Sequence, residues 1–160
     1  MPTAMRDKIV EMAAASGVEP KGLKIPAGES GWIRLPTPKQ GDPTRFVVRI
    51  EGWHPTTLNV LVNSHYMEAN RRKTADADLV AFECYRAGVT KAVGRRRVRL
   101  AVILAKGQRS PDPDAFHKAL HDSLVRCGAL VDDNVKWLDM TTPTFERSDT
   151  KASRIVIEDI

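Results

Sequence analysis

The sequence predicts an α+β fold in a single domain, with a mixed β-sheet and flanking helices. The chain has 160 residues, of which 42% are hydrophobic and 28% are charged, a balance typical of one globular domain with a substantial core. Strand-like and helix-like segments alternate through most of the chain, and two strand-like segments then follow one another near its end. This order of segments indicates an α+β protein.

The first part of the chain differs in composition from the rest. Apolar residues at helical spacing predict a helix over residues 3–15. Residues 16–42 are rich in Gly, Pro and Lys and predict a loop. We therefore expect an N-terminal extension over residues 1–44 and a main domain over residues 45–160.

The main domain is predicted to start with a strand and a long helical region. Residues 44–53, "TRFVVRIEGW", place polar residues among β-branched ones and predict a strand. Pro55 breaks this pattern, and residues 58–87 have a helical composition. Thr74 suits a helix N-cap, so two helical segments are expected to meet near it.

The second half of the domain is predicted to contain three more strands and a helix. The apolar run within residues 95–105 predicts a strand, and residues 114–130 predict a helix that Gly128 ends. Residues 135–143 and 153–160 predict two further strands, separated by a polar turn.

Several protein classes are excluded by what the sequence lacks. No apolar run approaches the roughly 18 residues that span a bilayer. The N-terminal segment carries Asp7 and Glu11 and does not resemble a secretory signal. Cys84 and Cys127 are isolated thiols without metal-binding spacing, which favours a reducing compartment. We expect a soluble, cytoplasmic protein with no membrane partner.

Charge is unevenly distributed along the chain. The net charge is +5, but residues 71–109 carry 11 basic and 3 acidic residues, whereas residues 110–160 carry 6 basic and 10 acidic ones. A basic tract in the middle of the chain favours binding of a polyanion such as DNA. The alternatives are a nuclear-localisation-like patch and the solvated face of an edge strand. The candidate DNA-binding residues are Arg95, Arg96, Arg97, Arg99 and Arg109.

Two pairs of aspartates bracket the helix predicted over residues 114–130. Asp112 and Asp114 lie at its start, and Asp132 and Asp133 lie just beyond its end. Taken singly, the first pair could serve as helix-capping residues and the second as turn formers. Taken together, carboxylates that converge on one point form a Mg²⁺ site, which can activate water against a phosphodiester. Lys118, one turn into the helix, could bind the scissile phosphate.

The spacing of these residues narrows the interpretation. The segment "PDPDAFHKALHDSLVRCGALVDDNVKWL" resembles the signature of RusA-type Holliday junction resolvases. The matching positions are Asp112, Asp114, Lys118, Asp122, Gly128, Asp132 and Asp133. The resemblance extends more weakly over residues 45–160.

This resemblance implies a RusA-like fold and a homodimeric endonuclease that acts in DNA recombination and repair. Such an enzyme binds four-way DNA junctions and nicks two opposing strands symmetrically, with Mg²⁺ or Mn²⁺ as cofactor. The family's metal-binding carboxylates correspond to Asp112, Asp114 and Asp133, with Asp132 as an adjacent acid, and its catalytic lysine corresponds to Lys118. No glycine-rich phosphate loop is present, so no nucleotide cofactor is expected.

The chain also departs from the family pattern. Ala115 stands where the family has Asn, and the family's proline-rich loop appears only as "WHPTTLN", from Trp53 to Asn59. These departures keep an alternative open, a junction-binding or branched-DNA-binding module of the same fold with impaired catalysis. A protein with a purely structural role is a further alternative.

Two other patterns favour structural roles. His117 and His121 are four residues apart on the predicted helix, but no third residue at zinc-like spacing accompanies them. Trp53 and Trp137 could stack on bases, although a tryptophan in an α+β domain is more often part of the core.

Overall fold

The computed structural model describes residues 33–160, so the helix predicted over residues 3–15 lies outside the described residues. The elements in chain order are β1 (Arg45–Glu51), α1 (Leu58–Asn63), α2 (Tyr66–Arg86), β2 (Arg96–Ala105), a 3₁₀ turn (Pro113–Phe116), α3 (His117–Cys127), β3 (Leu138–Met140), β4 (Thr144–Ser148) and β5 (Ala152–Asp159).

The strands form one mixed sheet with β2 and β5 at its centre. β5 pairs antiparallel with β1 on one side and with β2 on the other. The other edge of β2 is shared, because β3 pairs with its first residues and β4 with its last ones, both in parallel. The predicted class, a single-domain α+β fold with a mixed sheet and helices, is confirmed.

The hydrophobic core lies between one face of this sheet and the helices. Alternate strand residues, such as Val48, Leu100 and Ile155, are buried together with Val80 of α2 and Leu120 of α3. Burial of these side chains stabilises the fold by about 25 cal/mol per Å² of apolar surface. The other residues of the strands form a second sheet face, which we call the open face.

The N-terminal boundary of the packed body differs from the predicted one. Ile33 and Leu35 are buried in the core, and the Leu35 backbone N–H donates to the carbonyl of Cys127 at 3.0 Å. The core therefore includes residues before position 45, where the sequence pattern starts the main domain. Residues 45–51 form β1, as the pattern over residues 44–53 predicts.

The helical region breaks at a different place from the one predicted. α1 ends at Asn63 and α2 begins at Tyr66, whereas Thr74 lies within α2. The break lies at Ser64 and His65, whose backbones are extended, and His65 Nδ1 accepts a hydrogen bond from the N–H of Met67. The predicted break near Thr74 was therefore wrong. The sequence did not reveal the actual break, because histidine is not among the residues that N-cap positions prefer.

The carboxyl-terminal strands also differ in extent. The strand predicted over residues 135–143 is reduced to β3, because Asn134 accepts backbone hydrogen bonds from Lys136 and Trp137 and holds a turn there. The segment predicted as a polar turn contains β4. β4 is polar because it lies at an edge, with most of its side chains exposed, so hydropathy gives no strand signal.

Within residues 33–160, no helix combines the length and the apolar character needed to cross a membrane.

Candidate metal and nucleic-acid site

The first aspartate pair lies on the 3₁₀ turn that leads into α3. Asp112 caps this turn, and its Oδ1 accepts a hydrogen bond from the backbone N–H of Asp114 at 3.3 Å. Pro113 occupies the first position of the turn, where its missing N–H costs nothing. Both carboxylates are exposed, whereas Phe116 is buried and fixes the turn to the core.

Lys118 connects the helix to the segment that follows it. Its Nζ donates to Asp122 Oδ1 at 2.9 Å, one turn further along α3, and lies 4.0 Å from Asp133 Oδ2. The hydrogen bond and charge of Asp122 raise the pKa of Lys118, and the charge of Asp133 adds to this effect. Lys118 is therefore a cation at neutral pH, suited to contact a phosphate oxygen.

The two residues of the second aspartate pair, Asp132 and Asp133, lie in different environments. Asp132 uses its carboxylate to hold the turn, since Oδ1 accepts from the N–H of Asp133 at 2.8 Å and Oδ2 accepts from the Asn134 side chain at 2.5 Å. The Asp133 carboxylate is exposed and faces Lys118. Of the two, Asp133 is the better placed to bind a ligand.

The chemistry of these donors fits a hard divalent cation, because they are exposed carboxylates. The described conformation does not gather them, however. Among residues 33–160, no group of three or more His, Cys, Asp or Glu side chains is arranged to hold a metal ion. The structure brings together Lys118, Asp122 and Asp133, and it places Asp112 and Asp114 at the start of the same helical segment.

Ala115, at the position where the RusA-type signature has Asn, is buried beside Phe116. An asparagine at this position would carry an amide into a packed site, where each polar atom needs a partner. In this chain the position contributes to packing.

The basic tract divides between the core and the open face. Arg96 was predicted to bind DNA, but only 1% of its surface is exposed. Its guanidinium donates to Asp159 Oδ1 at 2.6 Å and to the carbonyls of Thr90 and Ala129 at 2.7 and 3.0 Å. It also lies over the Phe46 ring, 5.4 Å from the centroid. Because all three guanidinium nitrogens donate to acceptors within the protein, Arg96 is structural and is not available to a phosphate.

The remaining arginines of the tract differ in whether they form ion pairs. Arg97 pairs with Asp139 at 2.7 Å and Arg99 with Glu158 at 2.6 Å, both on the open face. Arg95 is exposed just before β2, and Arg109 is exposed in the loop that leads to Asp112. Since α3 packs on the other side of the sheet, Arg97 and Arg99 lie on the layer opposite to Lys118.

The open face contains a groove of about 260 Å³ that the sequence pattern does not single out. Arg45, Arg99 and Arg154 line it together with threonines of the segment between β3 and β4. All three arginines are already paired, since Arg45 and Arg99 contact Glu158 and Arg154 contacts Glu146. These acids offset much of the positive charge of the groove.

The structure also shows two residues with contacts that sequence patterns did not suggest. Arg147 of β4 donates to the carbonyl of Gln108 at 2.9 Å, in the loop that precedes Asp112. Asp76 is buried in α2 and accepts from Trp53 Nε1 at 3.0 Å and from the N–H of Thr56 at 2.9 Å. Neither residue belongs to a motif, so only the tertiary contacts identify them.

His117 and His121 stack with their ring centroids 5.3 Å apart. Burial, together with the nearby His117 and Lys118, lowers the pKa of His121 to about 4. Burial also lowers the pKa of His117. Both rings are therefore neutral at physiological pH and pack as part of α3. Trp53 packs against the core, whereas the Trp137 ring lies under Lys136 Nζ at 4.8 Å.

No protein-family model matches this sequence, and no curated protein is significantly similar to it. The function of the chain must therefore be inferred from its own residues.

Proposed function

We propose that this protein is a Mg²⁺-dependent endodeoxyribonuclease that resolves four-way DNA junctions, a RusA-type activity. The observation that carries the proposal is the position of Lys118. Its Nζ lies 4.0 Å from Asp133 Oδ2, although 14 positions separate the two residues, and Asp112 and Asp114 precede it on the same helical segment. A cation between carboxylates on an exposed surface suits phosphodiester hydrolysis.

The roles follow from the chemistry of each side chain. Asp112, Asp114 and Asp133 would hold Mg²⁺, or Mn²⁺ in its place, through carboxylate oxygens. The bound metal would lower the pKa of a water molecule and stabilise the charge that develops on the phosphate. Lys118 would contact the scissile phosphate as a cation, and Asp122 would orient its ammonium group. Asp132 would hold the turn that presents Asp133.

The distribution of charge supports a nucleic-acid substrate. The chain has a net charge of +5 in spite of the acidic cluster, by which we mean Asp112, Asp114, Asp122 and Asp133. Arg109 is exposed in the loop before Asp112, and Arg147 lies against the same loop. Basic side chains at this position would neutralise phosphates on either side of the scissile bond.

The active form is proposed to be a homodimer. Resolution of a four-way junction requires cuts in two strands that are related by a two-fold axis. One copy of this chain offers one acidic cluster around Lys118, so two copies supply the two sites.

The second candidate function is a branched-DNA-binding module of the same fold with impaired catalysis. Two observations favour it, the buried Ala115 and the lack of a gathered carboxylate group among residues 33–160. Junction binding without cleavage in either Mg²⁺ or Mn²⁺ would support this alternative.

Aspartate-to-asparagine variants test the proposed site. Asp112→Asn and Asp133→Asn should each lower nicking of a synthetic four-way junction in Mg²⁺ by a hundredfold or more, on the order expected when metal-dependent activation is lost. Junction affinity, measured by gel shift in EDTA, should stay the same or rise, because a carboxylate facing a phosphate repels it.

The matched control is Asp42→Asn. Asp42 also caps a turn, since its Oδ2 accepts from the N–H of Lys39 at 2.7 Å, but it lies before β1 and belongs to neither aspartate pair. This variant should nick at the wild-type rate. Wild-type nicking by both Asp112→Asn and Asp133→Asn would show that the carboxylates are only capping and turn residues.

A further inference from the structure

Two largely exposed helical segments have no assigned role. They are α1 and the first ten residues of α2, and we call residues 58–75 the helical arm. Leu61 is the only buried residue of α1, and no residue of α2 before Asp76 is buried. At about 1.5 Å per residue, this exposed part of α2 is about 15 Å long.

The tip of the helical arm is apolar. Val62, Tyr66 and Met67 are 71, 73 and 69% exposed, and Leu58 is also exposed. Apolar side chains gathered on an exposed surface mark a binding site, because their contact with water costs free energy.

The base of the arm is held firmly against the body. Asp76 receives hydrogen bonds from Trp53 and Thr56, at the entry to α1. His54 Nε2 donates to the carbonyl of Ile103 at 2.9 Å, and its ring packs edge-on against Phe116 at 6.1 Å. Phe116 ends the turn that Asp112 caps. The segment that leads into the arm therefore contacts the turn that carries Asp112 and Asp114.

The charge on the arm indicates its partner. Arg71, Arg72 and Lys73 follow the apolar tip on α2 and are exposed. Glu68 is the one acidic residue of the arm, and Arg71 and Arg72 both pair with it at 2.8 and 3.2 Å. The arm is therefore net cationic as well as apolar at its tip. This combination suits DNA, in which phosphates flank stacked bases.

We propose that the helical arm binds the branch point of a DNA junction. Val62, Tyr66 and Met67 would contact bases that are unstacked at the branch, and Arg71 and Lys73 would contact the adjacent phosphates. This inference rests on the proposed function, and it adds the element that would distinguish a branched substrate from linear duplex. Apolar side chains that enter between bases stabilise such kinks, and unpaired branch-point bases are the easiest to displace.

Fluorescence of 2-aminopurine at the branch point tests the inference. The probe is a synthetic four-way junction in EDTA, where no cleavage occurs. Wild-type protein should increase the fluorescence, because 2-aminopurine is quenched by stacking. The double variant Tyr66→Ala/Met67→Ala should lose most of this increase, and its preference for junction over linear duplex should fall by about tenfold or more, as expected for loss of base stacking.

Two further variants separate the possible causes. Val93→Ala removes a valine that is 72% exposed near the start of β2, at the opposite end of that strand from the arm, and it should behave as wild type. Lys73→Gln should weaken binding of junction and duplex to the same extent, because phosphate contacts are independent of sequence and branching.

The outcomes distinguish this inference from the proposed function. Junction binding by wild-type protein without increased fluorescence, or an unchanged signal in the double variant, overturns the role of the arm and leaves the nuclease proposal standing. Dissociation of a dimer in the double variant without DNA overturns it as well, since the tip would then bind a second copy. Failure of wild-type protein to bind any DNA overturns both.

Discussion

The guanidinium of Arg96 shows how one buried residue can organise several segments. It links β2 to Asp159 at the end of β5, to Thr90 before β2 and to Ala129 after α3. Arg99 of the same strand is different, because half of its side chain is exposed. Its partner Glu158 also contacts Arg45. Two arginines in one strand therefore have unequal effects on stability.

We expect Arg96→Ala to lower the free energy of unfolding by about 3 kcal/mol, since it leaves two buried carbonyls and a carboxylate without a partner. Arg99→Ala should cost less than about 1 kcal/mol, as is typical of exposed ion pairs. Urea denaturation of both variants measures the difference. Equal destabilisation by the two substitutions would contradict the structural role of Arg96.

His121 should make stability depend on pH. Its folded-state pKa is about 4, below the usual value of 6.5 that applies to the unfolded chain. Between these values the unfolded state binds a proton that the folded state does not, so stability decreases as pH falls from about 6.5 to about 4. The loss attributable to His121 should be at most about 3 kcal/mol.

Urea denaturation at pH 7.5 and pH 4.5 tests this for wild type and His121→Gln. The free energy of unfolding of His121→Gln, relative to that of wild type, should be higher at pH 4.5 than at pH 7.5. An identical pH dependence would show that the ring titrates normally. His117→Gln provides the comparison. Burial also lowers the pKa of His117, but this ring is less buried than that of His121, so its replacement should have a smaller effect.

At the scale of the element, α3 positions the candidate site through its two ends. Asp112 caps the turn at its start, and Gly128 ends it with a left-handed backbone, φ 90°. This glycine lets the chain reverse and return Asp133 towards Lys118. A β-carbon at this position would be strained by its φ and would also lie 3.5 Å from Lys91 Cγ.

Gly128→Ala should therefore destabilise the protein by about 1–2 kcal/mol, which is the cost of a left-handed conformation for a residue other than glycine. Gly94→Ala is the matched control. Its φ lies outside the left-handed region and its β-carbon would meet nothing within 4 Å, so it should change stability by less than about 0.5 kcal/mol. Thermal unfolding of both variants measures these values. A loss in Gly94→Ala as large as that in Gly128→Ala would contradict the argument.

At the scale of the whole molecule, the two layers separate the charges that the sequence places close together. The helical layer carries Lys118 and the acidic cluster, and the open face of the sheet carries Arg97 and Arg99. A single duplex arm on one layer would therefore not contact both sets. Arg109 lies in the loop that leads to Asp112, and Arg147 contacts the same loop.

The paired cuts of the proposed activity require two copies of the chain on one junction. Light scattering should give a mass near twice 17.8 kDa for the protein at micromolar concentration. A mixed dimer of wild type and Asp112→Asn should nick one strand of the pair and leave the other intact. A 17.8 kDa species that resolves junctions completely would contradict the paired mechanism.

The sequence by itself determined the fold class and most of the elements. Alternation in residues 45–51 and the apolar run in β2 predict strands because these segments bury one face or lie at the centre of the sheet. Gly128 correctly marks the end of α3, since its backbone conformation is one that few other residues adopt. The candidate residues Asp112, Asp114, Lys118 and Asp133 were chosen from their spacing and from the resemblance to the RusA-type signature, and their function stays a prediction.

Only the tertiary structure decided which side chains are available. Arg96 and Arg99 look alike in the sequence, yet one is buried and the other is exposed, because burial depends on which strand face meets the helices. The polar strand β4 and the histidine-capped break before α2 likewise have no local signal that could reveal them. Contacts between residues far apart in the chain, such as Lys118 with Asp133 and Asp76 with Trp53, form only when the layers pack. Local propensity fixes most of the elements of this protein, whereas long-range packing fixes the others and determines which of its charges face solvent.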